Sequence, residues 1–193
     1  MRENEQNLIE DKTQIIEKAK QEGMLSACFM SFTVLVLYVA DFFPKLQEKH
    51  SWTALSILAL VYLYKALKKL QPMCETNLMR PFYAHCAVSV IFVASYALAL
   101  FYNDNFTFLS IIFLATTLAF WTILNFRLSR ITQNPLFKFH SIMLIVSVAS
   151  SLTVLFLKAN PGSVLYYADA AITATAQALL VGAWYGVDDI EEI

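Results

Sequence analysis

The chain has 193 residues, 58% hydrophobic and 15% charged, with a formal net charge of −1 and a mean hydropathy of +0.55. A soluble domain is nearer half apolar and a quarter charged, so this composition excludes an ordinary soluble enzyme and indicates an all-α polytopic membrane protein whose first partner is the lipid bilayer. No cluster of basic residues with interleaved aromatics marks a nucleic-acid footprint.

In chain order, residues 1–23 form a cytoplasmic amphipathic segment. Its acidic residues, Glu3 to Glu22, are unlike the basic start of a signal peptide. Leu8, Ile9, Ile15, Ile16 and Ala19 share one helical face, which predicts either a short helix lying at the membrane surface or a solvated helical tail. Residues 24–187 then divide into six apolar spans: Met24 to Phe43, Ser51 to Leu70, Phe82 to Tyr102, Phe106 to Phe126, Leu136 to Leu157 and Val164 to Val187. Each is about the length that crosses a bilayer as a helix. All five prolines lie between or at the ends of these runs, as helix punctuation should. Residues 188–193 form an acidic cytoplasmic tail.

Lysine and arginine set the orientation. Eleven fall on the side of the N-terminus, in the groups Arg2 to Lys20, Lys65 to Arg80 and Arg127 to Lys138; only Lys45, Lys49 and Lys158 fall on the other. Both termini are therefore expected in the cytoplasm, with the protein in the plasma (inner) membrane. The outer connections, 44–50, 103–105 and 158–163, are short enough to make three helical hairpins. Cys28 and Cys86 lie in apolar runs and Cys74 in a polar loop, with no C-x-x-C spacing, which implies neither a disulfide framework nor a zinc site.

The last span carries two patterns. Ala170, Ala174, Ala178, Gly182 and Gly186 recur every fourth residue, a line of small side chains that lets a helix approach, in the same chain or in a homo-oligomer. Beside it run Tyr166, Asp169, Thr173 and Gln177, spaced so as to share one face. A carboxylate at membrane depth is costly and usually functional, although Asp169 lies near a helix start and could instead act as a cap. Asp41 is the other carboxylate at similar depth. His85 and His140 begin spans three and five; imidazole suits transition metals, but no H-x-x-x-H or H-x-x-x-D spacing occurs. Span five adds Ser147, Ser150 and Ser151, hydroxyls that either glue helices together or line a path. Asp169, Asp41 and His140 are thus the candidate ligands of a cation, and Ser147, Ser151, Thr173 and Gln177 the candidate path. Oxygen donors of this kind favour a hard cation or a proton. No organic cofactor is implied, and no nucleophile, phosphate-loop or zinc-helix motif points to an enzyme.

The run NFRLSRITQNPLFKFHSIMLIVSVASSLTVLFL followed by YYADAAITATAQALLVGAWYG, together with RPFYAH at 80–85, resembles the membrane domain of the cation diffusion facilitator (cation efflux) family over residues 79–187. The resemblance implies six spans, cytoplasmic termini and cation transport. The chain departs from the family pattern at the metal site. Met143 and Ser147 stand where span five would carry a His/Asp pair, span two has no acidic residue, and no metal-binding domain follows Ile193. The expectation is a divergent transporter-like protein without the usual metal site; the alternative is a non-transporting membrane scaffold or partner subunit.

Overall fold

The computed structural model describes residues 2–42, 51–101 and 105–190; among these, the side chains of 2–10, 40–42, 51–53, 100 and 105 lie outside the described set. The described residues form six α-helices and no strand: α1 (Arg2–Phe42), α2 (Ser51–Leu70), α3 (Met79–Phe101), α4 (Asn105–Ile131), α5 (Leu136–Phe156) and α6 (Val164–Tyr185), with a single 3₁₀ turn, Gln71–Met73, after α2.

Among the described residues, five stretches are long and apolar enough to cross a membrane: Asp11–Val39, Met79–Ala99, Phe106–Ile131, Leu136–Phe156 and Val164–Tyr185. That is the hallmark of a multi-pass integral membrane protein. Large apolar side chains such as Phe32, Ile57, Val90, Phe108, Leu155 and Tyr167 are exposed on all six helices. Soluble monomers rarely expose so much apolar surface; lipid would cover it here. The helix α2 is not among the five; the side chains of residues 51–53 lie outside the described set, and its last six residues hold Lys65, Lys68 and Lys69. These lysines stay near the polar end: Lys65 and Lys68 lie over the rings of Tyr62 and Tyr64, and Lys69 pairs with Glu22 of α1 at 2.7 Å.

The N-terminal segment differs from the expected separate helix. It runs without a break into span one, making α1 a single helix of 41 residues, about 60 Å long and roughly twice the hydrocarbon thickness. No proline interrupts residues 2–42. Gly23, the one helix-weakening residue, is held by tertiary contact with Trp184 of α6. Part of the segment's apolar face is taken up by the bundle, while Leu8 and Ile9 lie outside the described side chains. Ile16 and Ala19 are buried in a core with Leu67, Leu70, Leu128 and Val187 at the ends of other helices.

The most extensive packing joins α1 to α2, α3 to α4 and α5 to α6. Helix α6 also packs on α1 and α4 on α5, while α2 and α3 meet only thinly. Neighbours thereby close a ring. Side-chain-to-backbone bonds fix its connections. Gln71 Oε1 accepts from the backbone N–H of Leu78 at 2.7 Å, and Asn77 Oδ1 caps α3 through Arg80 N–H. Asn134 accepts from Leu136 N–H and donates to the Ala183 carbonyl, tying the start of α5 to the end of α6.

Candidate functional site

Helix α6 begins at its N-cap, Ser163, whose Oγ accepts from Tyr166 N–H. The capping role weighed for Asp169 therefore belongs to another residue. Asp169 sits five residues into the helix, about 8 Å from its start, and is only 3% exposed. The buried face of α6 is the polar stripe itself: Tyr166, Asp169 and Thr173, continued by Ala176, Leu180 and Ala183. The line of small residues runs beside it, with Gly182 and Gly186 close to Leu136 and Asn134. Ala174 and Ala178 are exposed along a groove of about 560 Å³ between α6 and α1. Within this chain they are not covered by another helix, because the larger residues of the polar stripe take the inward face.

Two helices bring hydroxyls to Asp169, and Thr173 of its own helix extends the network. Tyr38 of α1 donates to Oδ2 at 2.7 Å. Ser151 of α5, itself exposed, donates across both carboxylate oxygens at 3.0 and 3.1 Å. Thr173, one turn along α6, lies 3.1 Å from the Tyr38 hydroxyl and 2.6 Å from Ser147 of α5. Tyr166 donates to the Tyr38 carbonyl and meets the Tyr38 ring edge-on at 5.6 Å, which holds that ring in place.

The proton directions follow from the donors available. A carboxylate only accepts, so the Tyr38 proton points to Asp169. Thr173 then donates to Tyr38, and Ser147 to Thr173. The chain Ser147→Thr173→Tyr38→Asp169 has every proton directed at the carboxylate. Each hydroxyl can both donate and accept, so the whole chain can reverse when Asp169 takes up a proton. The ends of such a chain exchange a proton with no heavy atom moving far.

The other candidates are placed apart. His140, 1% exposed, accepts at Nε2 from Trp121 Nε1–H at 3.0 Å, and its Nδ1 donates to the Ala176 carbonyl at 2.8 Å. Both nitrogens are occupied, leaving none for a metal in this arrangement. Gln177 Oε1 is buried without a hydrogen-bond partner among the described residues. Asp41 ends α1, and its side chain lies outside the described residues. Among the described residues no three His, Cys, Asp or Glu side chains converge as metal ligands would.

Tyr38 is a site residue that sequence reasoning missed. It is a hydroxyl in an otherwise apolar stretch of span one, three residues before Asp41, and that was the available signal. Trp121 was also missed. It belongs to a spaced-by-four series on α4 with Thr117 and Asn125, and the His85 ring lies 5.0 Å from its own.

Fold and site together define an α-helical multi-pass membrane protein with a buried, hydroxyl-linked carboxylate. No protein-family model, no curated protein and no solved structure matches the chain.

Proposed function

We propose that the chain is a divergent, transporter-like protein with six spans in three hairpins, α2 being the sixth. In this reading both termini are cytoplasmic, the location is the inner membrane, and the cation handled at Asp169 is the proton. One observation carries the functional part: a carboxylate buried between α1, α5 and α6 ends a continuous hydroxyl chain, with its oxygens already bonded to Tyr38 and Ser151. A hard metal cation asks for about six oxygens at about 2.3–2.6 Å. Hydroxyls packed 2.6–3.1 Å from one another suit proton transfer better than ion coordination. The basic-residue asymmetry supports the orientation, and the sequence pattern of residues 79–187 supports a distant kinship with cation diffusion facilitators without their metal site.

The test is proton flux into liposomes holding a pH-sensitive dye, driven by an imposed potential. Wild-type protein should acidify the lumen faster than empty liposomes. Asp169→Asn, which keeps the shape but not the titrating group, should return the rate to that baseline at unchanged yield of folded protein. Wild-type flux no greater than that of empty liposomes would favour the scaffold reading, and equal flux in the variant would remove Asp169 from the path. A reporter fused after Ile193 checks the orientation: a signal from the outer side would break the six-span arrangement.

A further inference from the structure

At the centre of the helix ring is a cavity of about 300 Å³ to which all six helices contribute. It is separate from the Asp169 hydroxyl chain. Most of its wall is apolar, and no carboxylate lines it, so a bare or organic cation would lie there without a counter-charge, at a large desolvation cost. One buried polar atom of the wall nonetheless lacks a partner among the described residues, Gln177 Oε1. His85, half-buried, directs Nδ1 at the Thr117 carbonyl, 3.2 Å away; that nitrogen carries the proton, which leaves Nε2 an acceptor with no bond among the described residues. Buried polar atoms are nearly always satisfied, and the orphan at Gln177 points to something that belongs there.

The remaining wall narrows the chemistry. Trp121, His85 and Met30 are among its lining residues, side chains that pack well on aromatic rings. A dry apolar cavity of about 150 Å³ takes benzene, so this one holds a fused two-ring system or a substituted single ring. Gln177 Oε1 and His85 Nε2 are both acceptors, so the occupant must donate. The thinnest contact of the ring is the seam between α2 and α3, with Leu60 and Ser56 lining the cavity from one side and His85 from the other.

We propose that the central cavity is a binding site for a small, neutral, membrane-dissolved aromatic molecule carrying an N–H or O–H donor, held by Gln177 Oε1 or His85 Nε2 against Trp121. The site stands whether or not the Asp169 chain moves protons. Indole is the probe, and N-methylindole, which has the rings without the donor, is its control. In calorimetric titrations of the protein in nanodiscs, with empty nanodiscs subtracted, indole should bind saturably at one per chain. N-methylindole should bind about tenfold more weakly, the usual effect of leaving a buried acceptor unpaired. Gln177→Leu should weaken indole and leave N-methylindole nearly unchanged. The comparison of the two ligands on the wild-type protein needs no variant to fold. Heat no greater than that of empty nanodiscs would mean that the cavity holds only water or lipid chain, and equal affinities for the two ligands would mean apolar filling without recognition; either result overturns the proposal.

Discussion

Gly23→Ala tests the joint between α1 and α6. A Cβ at residue 23 would lie 2.1 Å from Trp184 Cδ2 and Cε3 and 2.6 Å from Cε2. Carbon atoms prefer about 3.5–4.0 Å, so something must move by more than an ångström. The indole has nowhere to go: Trp184 is 1% exposed and stands perpendicular to Phe137 at 5.3 Å. Overpacking of this kind costs about 1–3 kcal/mol, and the rigid ring puts this case near 3. Alanine recovers about 1 kcal/mol of helix propensity over glycine, leaving a net loss of about 2 kcal/mol. For a chain of this size that is a fall in Tm of about 4–8 °C. Gly182→Ala is the control. Its added Cβ would meet only Leu136 Cδ1 at 3.5 Å, an ordinary contact, so that variant should hold or gain about 2–4 °C. Thermal unfolding in one detergent, followed by tryptophan emission, compares the two. If Gly23→Ala melts at or above wild type, α1 does not rest on Trp184, and the continuous α1 docked on the bundle is wrong.

Tyr38→Phe removes a hydrogen bond to a carboxylate, worth about 1.5–3 kcal/mol. It also breaks the hydroxyl chain, so both Tm and proton flux should fall, whereas Ser151→Ala, which lies off the chain, should reduce flux less. Ala178→Leu should leave the Tm of the monomer within the range that about 0.5 kcal/mol allows, because Ala178 is exposed; a large drop by the same thermal assay would show that the α1–α6 groove is covered. Burial pushes the Cys74 thiol above its ordinary value, so less thiolate is present at any given pH near 8. Maleimide labelling at pH 8, read by mass spectrometry, should be slower on the folded protein than on the unfolded chain, and the two rates should converge as pH rises through the folded value.

Much of this arrangement was written in local pattern. The apolar runs and their prolines give the helices, and the three- and four-residue spacing of Tyr166, Asp169 and Thr173 gives the buried face of α6. The pairing of Ser147 with Thr173 follows once α5 and α6 are antiparallel neighbours. Three things were not legible. The small-residue line predicts a helix contact in the same chain or between copies; within the chain Gly182 lies against Leu136, while Ala174 and Ala178 are exposed and the larger polar stripe takes the inward face. The continuity of α1 depends on Trp184, more than 160 positions away, closing over Gly23. Histidine chemistry was the least legible. The sequence shows an imidazole at 140, and only the fold shows that an indole and a carbonyl have taken both its nitrogens.

That last point separates the two polar systems of the molecule. Hydroxyls both donate and accept, so the chain from Ser147 to Asp169 has two proton arrangements, one directed at an ionised carboxylate and the reverse directed away from a protonated one. His140 lies between a group that can only donate, the Trp121 N–H, and one that can only accept, the Ala176 carbonyl. Its tautomer has one orientation, and reversing it would leave an N–H facing an N–H and a lone pair facing a carbonyl. His140 is therefore a fastener joining α4, α5 and α6, although it lies on the same helix as Ser147 and at a spacing that invites reading the two as one path. Among the described residues the hydroxyl chain ends at Ser147. One turn beyond Thr173 on α6 stands Gln177, which lines the central cavity and takes no part in the chain.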